Sequence, residues 1–423
     1  MERMTVLPQA DALRLERWIA EIDRYNDTVG DGTTRHYMTA TECACREYIR
    51  DEMEKLGLRV EVDCMGNVYG TLAGTEPDLA PVWTGSHFDT VLHGGRFDGV
   101  AGVVTGMEAL HLVASSGAAH RRDLTVIAYG GEEPARFGIG CIGSRAVAGR
   151  LTVEDLKSMH DQDGIALYDE MKLRGFDPDA VVSCQRREGD VFCSLELHIE
   201  QNRVLEQKEI PLGIVRAICS ALNFVVTVTG QAAHAGGMPM DVRKDAYAAA
   251  CEMSLALERL VRENMLSEYC TGTVGCVQLS PNAPNIIPGQ AQFTVDIRDC
   301  NADSKNMLME AVQREFQEIA KRRGVTLDMK LQNNDKPVVS NPALMSVLEQ
   351  HAAARGYKTC ELISGPFHDS LFIGTFTPIG MLFLPSKAGL SHCPEEWTAT
   401  KFLKAGAEVL ADSLLDIANR ETL

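Results

Sequence analysis

The chain is poor in positive charge, in long apolar runs and in paired cysteines, and each shortage excludes something. Its 423 residues carry 41 Lys and Arg against 59 Asp and Glu, a formal net charge of −18. A surface so acidic repels phosphate backbones and anionic lipid, which makes nucleic acid and membrane poor partners. No apolar run approaches the ~18–20 residues that span a bilayer. The 13 cysteines include no C-x-x-C pair, and the Cys43/Cys45 spacing matches no zinc knuckle, so they read as buried or indifferent thiols of a reducing compartment. The segment Met1–Pro8 lacks the apolar core and small-residue cleavage site of a signal peptide, and the expected location is cytoplasmic. Neither an internal repeat nor a low-complexity linker is found.

What is present is ordinary globular material. With 45% hydrophobic and 24% charged residues the chain is folded, and its length suits two or three domains. Leu15, Trp18, Ile19 and Ile22 fall at helical spacing within 11–25, and Thr39-Ala40-Thr41-Glu42 has capping-box form, opening a helix that Gly57 stops. Val60 and Val62 alternate with polar residues, and Met65-Gly66-Asn67 turns the chain back through Val68-Tyr69-Gly70. The apolar runs 81–83 and 124–129, separated by the helix-like stretch 103–114, predict a parallel β-α-β unit, with reactive groups just beyond the strand ends.

Beyond residue 214 the pattern changes. Strands are expected at 224–229 and 292–298, helices at 245–264 and 306–322, forming an inserted α+β domain over 214–330. Residues 1–213 and 331–423 then make one α/β domain, a mixed sheet between helical layers.

Polar clusters follow the predicted strands. His87-Phe88-Asp89 and the glycine-rich segment ending in Asp98-Gly99 can converge on a metal, because glycines let the backbone turn sharply. Asp89 is placed to accept the second imidazole N–H of His87. A turn carrying a surface histidine is an equal alternative for this segment alone. Adjacent Glu132 and Glu133 at the end of an apolar strand repel one another unless a positive group intervenes; in extended chain one can bind metal while the other acts as a base. Glu196, His198 and Glu200 share one strand face, where a half-exposed strand is the slightly favoured alternative. His392 and His234 are presented by small-residue loops, whereas His36, His111, His120, His160 and His351 have no such setting.

Taken together, the segments G-S-H-F-D-T-V and G-G-R-F-D-G-V-A-G (85–102), E-E-P-A-R-F (132–137), E-L-H-I-E-Q (196–201), H-A-G-G-M-P-M with R-K-D-A (234–246), P-N-I-I-P-G (284–289), D-I-R (296–298) and G-L-S-H-C-P-E (389–395) run nearly the length of the chain. In order and spacing this set resembles the amidase/hydantoinase/carbamoylase family of the dimetal aminoacylase/carboxypeptidase superfamily: N-carbamoyl-L-amino-acid hydrolases, allantoate amidohydrolases and β-ureidopropionases.

The resemblance implies two divalent metal ions per subunit, Zn²⁺ or Mn²⁺, with Co²⁺ or Ni²⁺ also accepted by such ligands. His87, Asp98 and His198 would hold one, and Asp98, Glu133 and His392 the other. Glu132 would take a proton from the bridging water. His234, on a lid and dimerisation domain, would reach the partner subunit's site and stabilise the oxyanion. Asn285 and Arg298 would hold the substrate carboxylate, with Gln201 lining the same pocket. A homodimer acting on a small carboxylate substrate follows.

The implied reaction is cleavage of a linear C–N bond in an N-carbamoyl amino acid. Allantoate amidohydrolase, an N-acyl amino acid amidase or dipeptidase, and an inactive binding protein on the same fold are the alternatives; the complete ligand set counts against the last. The chain departs from the family at Asn202-Arg203, Gly237-Met238 and Pro366-Phe367. No metal ligand is touched, so these departures bear on the substrate side chain.

Overall fold

The computed structural model describes residues 6–423; Met1–Thr5, part of the N-terminal segment read above, lie outside the described residues. The chain divides into two units. One runs up to Arg216 and resumes over Val339–Leu362 and His368–Leu423; the other is Ala217–Val338 with Ile363–Phe367. The boundaries expected at 213/214 and 330/331 therefore move. The strand Leu212–Ile218 runs through the first, and the second falls inside the region where Thr326–Asn334 pairs with Ser220–Thr229. The segment 363–367 joins the inserted unit, to which Cys219 is tied by donating its N–H to Ser364 O at 2.8 Å.

The first unit is built on a nine-stranded mixed sheet. Its order is Arg59–Val62, Val68–Leu72, Leu124–Tyr129, Val82–His87, Cys193–Ile199, Ile379–Leu384, Leu212–Ile218 and Val338–Val339, with Thr359–Ser364 also paired to Leu212–Ile218. The middle four strands are parallel; Arg59–Val62 pairs antiparallel with Val68–Leu72, Val68–Leu72 with Leu124–Tyr129, and Ile379–Leu384 with Leu212–Ile218. A parallel strand covered on both faces is buried along its whole length and carries polar residues only where they find partners. Val82–His87, Leu124–Tyr129, Cys193–Ile199 and Ile379–Leu384 are buried at every position. Strict alternation in Glu196–Glu200 thus does not mark a half-exposed strand: the polar face is buried too, against the site.

Helix Val100–Ser116 links the two strands of the β-α-β unit. Most of its residues are buried because it lies between the sheet and helix Thr400–Ala418. Gly102 permits that approach: a Cβ there would stand 2.2 Å from Leu197 O and 2.5 Å from Ser86 Cβ. Helix Ala12–Asp23 is capped by Asp11, and helix Ala40–Lys55 by Thr39, which accepts the Glu42 N–H at 3.1 Å. The return half of the expected capping box is absent, since Glu42 is turned to Arg46 and to the Met38 N–H.

The second unit has its own core. Antiparallel strands in the order Thr326–Asn334, Ser220–Thr229, Gln290–Asp299, Cys270–Ser280 pack on helices Ala246–Glu263 and Ala302–Arg323 around Phe224, Phe293 and Phe316. A small ribbon pairs Ala233–His234 with Ile286–Ile287. No helix among the described residues is long and apolar enough to cross a membrane.

Candidate metal centre

The parallel strands deliver their polar side chains to one end of the sheet. His87 closes its strand, Glu132 and Glu133 follow Leu124–Tyr129, His198 is the penultimate residue of Cys193–Ile199, and Ser386 follows Ile379–Leu384. Carboxyl ends of parallel strands are where such sheets place ligands. Asp98 arrives from the loop before helix Val100–Ser116. Gly99, at φ +65°, allows this: a Cβ there would lie 2.5 Å from the His87 ring.

Six of the predicted residues come together, Asp98 at the centre and five about it. Its Oδ1 is 3.3 Å from His87 Nε2 and 3.1 Å from His198 Nε2, and its Oδ2 is 3.4 Å from His392 Nε2. His392 Nε2 is also 3.1 Å from Glu133 Oε1, and Glu132 Oε2 is 3.9 Å from His87 Nε2. Three donor sets close enough for one ion each result: His87, Asp98 and His198; Asp98, Glu133 and His392; and His87, Glu132 and Glu133.

The chemistry of the donors fits a cation. His87 Nδ1 is 3.1 Å from Asp89 O and His198 Nδ1 is 3.0 Å from Ile199 O, so both rings carry the Nδ1 proton, and Gly99 donates its N–H to His198 Nε2 at 3.2 Å. Their Nε2 lone pairs then face one another at 3.4 Å, over the Asp98 carboxylate. Lone pairs and carboxylates at such distances repel unless a positive charge lies among them. The protein charges alone register the conflict. Burial, with Glu133, Asp369 and Asp89 adding to it, pushes Glu132 well above the carboxylate range against the opposing His87. Burial also raises Glu133. Asp98 resists its burial and is held well below the range by His198, His392 and His87.

Asp89 has a different task from the one expected. The His87 N–H goes to its backbone oxygen, while its carboxylate, 3.7 Å from His87 Nδ1, accepts the N–H groups of Gly131, Glu132 and Glu133 at 2.9, 3.1 and 3.0 Å. Three amides converging on one carboxylate outcompete a single imidazole for its lone pairs. Gln201 also lies at the cluster, where its Nε2 donates to Asp98 Oδ2 at 2.6 Å.

Sequence reasoning missed several supports. Glu396 is buried and accepts the Phe97 and Asp98 N–H groups at 2.8 and 3.0 Å and the Ser391 hydroxyl at 2.7 Å; burial and Asp98 push its carboxyl up to about 7. Glu196 accepts from Ser86 Oγ at 3.0 Å and from Ser370 N at 2.9 Å, bracing the residue before His87. His368 packs its ring 4.5 Å from that of His198, and the Cys141 thiol donates to Glu132 Oε1 at 3.8 Å. The paired acids Glu395-Glu396 repeat the Glu132-Glu133 pattern and were the available signal.

His234, Asn285 and Arg298 belong to the second unit. Ala235 donates to Asn285 O at 2.9 Å, which sets His234 and Asn285 side by side on the small ribbon. His234 is exposed, and its Nδ1 accepts the Gly236 N–H at 3.1 Å, leaving Nε2–H as an outward donor. The Arg298 guanidinium is fixed on edge by Asp296, Nε to Oδ1 at 3.0 Å, and lies 5.7 Å from the Phe367 ring centroid.

A histidine–carboxylate cluster at the carboxyl edge of a mixed α/β sheet defines a metal-dependent hydrolase. The chain belongs to peptidase family M20/M25/M40, whose model matches residues 82–416, and within it to the amidase/hydantoinase/carbamoylase group. It is 36% identical over 404 residues to the N-carbamoyl-L-amino-acid amidohydrolase of Paenarthrobacter aurescens, covering 96% of this chain and 97% of that one. It is also 36% identical to the ureidoglycolate hydrolase of Oryza sativa subsp. japonica, over 95% of this chain and 84% of the relative. The crystal structure of a hydantoinase/carbamoylase family amidase from Burkholderia multivorans superposes with a TM-score of 0.86 at 32% identity, covering 97% of this chain and 99% of that one. The protein is an enzyme of amidohydrolase type.

Proposed function

We propose that the protein hydrolyses the linear C–N bond of N-carbamoyl-L-amino acids or close ureido acids, releasing ammonia, carbon dioxide and the amino acid. The observation that carries this reading is the Asp98 carboxylate set between the Nε2 atoms of His87, His198 and His392, in a chain whose relatives act on ureido acids.

In this reading His87, Asp98 and His198 hold one divalent ion, and Asp98, Glu133 and His392 a second, of Zn²⁺ or Mn²⁺ type. When bound, the ions acidify the attacking water and polarise the ureido carbonyl. Glu132 takes the proton of that water and returns it to the leaving nitrogen; a base raised by burial suits such a shuttle. His234 donates its Nε2–H to the developing oxyanion, a contribution of about 2.7–4 kcal/mol for a well-placed donor. Asn285 and Arg298 bind the carboxylate, for which a planar guanidinium already fixed by Asp296 loses little freedom. Gln201 orients Asp98 at the edge of the same site. The second unit serves as lid and dimerisation domain of a homodimer. The Phe367 ring beside Arg298 favours an apolar amino acid side chain over the smaller, more polar allantoate.

The test is ammonia release from N-carbamoyl amino acids, allantoate, ureidoglycolate and β-ureidopropionate, and release of the free amino acid from N-acyl amino acids, with Mn²⁺ or Zn²⁺ added. Turnover of N-acyl amino acids alone would overturn the assignment. Mixing inactive His234→Ala and Glu132→Gln subunits should restore part of the activity if His234 serves its partner's site; no recovery speaks against that role.

A further inference from the structure

Two cysteines far apart in sequence meet outside the metal centre. Cys64 Sγ and Cys184 Sγ are 3.0 Å apart, both free thiols. Cys64 is half-buried on the turn Asp63–Asn67, while Cys184 is buried at the end of the 3-10 turn Pro178–Cys184, in a satellite core with Met65, Ile142 and Leu167. Both lie in the first unit. We propose that Cys64 and Cys184 are a redox modification site that closes into a reversible intramolecular disulfide.

The geometry asks for little movement. A disulfide needs its sulfurs at about 2.05 Å, so they must approach by about 1 Å. The roles of the two thiols differ by access: either sulfur can donate in their shared contact, but Cys64 is half-buried, where a small oxidant reaches it, and Cys184 is buried behind it. Cys64 is thus the attacking thiolate and Cys184 the resolving thiol. With hydrogen peroxide as oxidant, Cys64 takes one oxygen to become the sulfenic acid and releases water. Cys184 sulfur then attacks Cys64 sulfur and a second water leaves; two thiols and one peroxide give one disulfide and two waters.

The bond would act on a segment wired to the site. Asp63 accepts the Met65 and Asn67 N–H groups, each at 2.9 Å, and Asn67 Oδ1 accepts the N–H of Gly130, two residues before Glu132, at 3.0 Å.

The experiment treats the metal-loaded full chain with hydrogen peroxide, alkylates the remaining thiols and maps peptides by mass spectrometry. The expected result is a linked Cys64/Cys184 peptide pair that dithiothreitol removes. The unfolding midpoint should rise by about 3 °C or more, as closing a long loop stabilises strongly, and the rise should vanish in Cys64→Ser and Cys184→Ser. Free, alkylatable Cys64 and Cys184 after exposed Cys276 has been oxidised would overturn the proposal, as would Cys64 halting at the sulfenic or sulfinic stage in the wild type. The wild-type map decides even where a variant fails to fold.

Discussion

Asp89 and Glu132 are joined side chain to main chain, Oδ1 of Asp89 accepting the Glu132 N–H at 3.1 Å. The same carboxylate accepts from Gly131 and Glu133, so one buried acid sets the backbone that carries two site carboxylates. Asp89→Asn places an NH₂ against these donors. Metal affinity is expected to fall about 10–100-fold, as for other residues that orient ligands. Titration of the metal-free protein with Mn²⁺ or Zn²⁺ measures it; unchanged affinity would show that the loop holds itself.

Replacing Glu132 by Gln keeps the shape of the side chain and removes the carboxylate proposed as the base. Turnover should drop by about 10²–10⁴ while the metal content of the protein is retained. Turnover near the wild-type rate would remove Glu132 from the proton-transfer role, and loss of an ion would make it a ligand, which the donor set His87, Glu132 and Glu133 allows.

Phe367→Gly strips the ring from beside the Arg298 guanidinium. A cation–π contact of about 0.5–1 kcal/mol corresponds to a rise in KM of roughly 2–5-fold for a carboxylate substrate, with kcat little changed. Equal KM values for the two proteins would show that the ring plays no part in binding.

Lys305 gives a pH signature remote from the metal centre. Its ammonium is buried in the second unit against Ser220 Oγ and Asp335 O, and burial lowers it to about 8 from a usual 10.5, Asp335 and Asp299 opposing. Between these values the unfolded chain holds a proton that the folded one has released, so stability rises with pH from about 8 to 10.5. In Lys305→Met this rise should be smaller, measured as unfolding midpoints across that range. Parallel curves for the two proteins would contradict it.

Much of this was legible in the sequence for a physical reason. Leu124–Tyr129 and the helix after Asp98 are buried on every side, and continuous apolar runs announce that directly. His87, Asp98 and His392 stood out as candidate ligands because glycines and small residues mark the loops that present them, while their division into two ion sites came from the family resemblance. Cys270–Ser280 was not: exposed at many positions and containing Gly272 and Gly275, it carries no apolar pattern. Glu396 was legible only as one of a pair, because tertiary packing alone decides that it, and not its neighbour Glu395, is buried at the cluster. The Asp89 carboxylate was assigned to His87 from adjacency, yet the amides that claim it come from another strand end, some forty residues on.

The ordering of the cluster along the chain has a consequence for biosynthesis. Asp98, on which three histidines converge, meets His87 and His198 from the first half of the polypeptide but His392 only after the whole second unit has been made. On the ribosome the two donor sets therefore mature at different times. A nascent chain carries all of the His87, Asp98 and His198 set long before His392 exists, so the Asp98, Glu133 and His392 set is complete only late in synthesis.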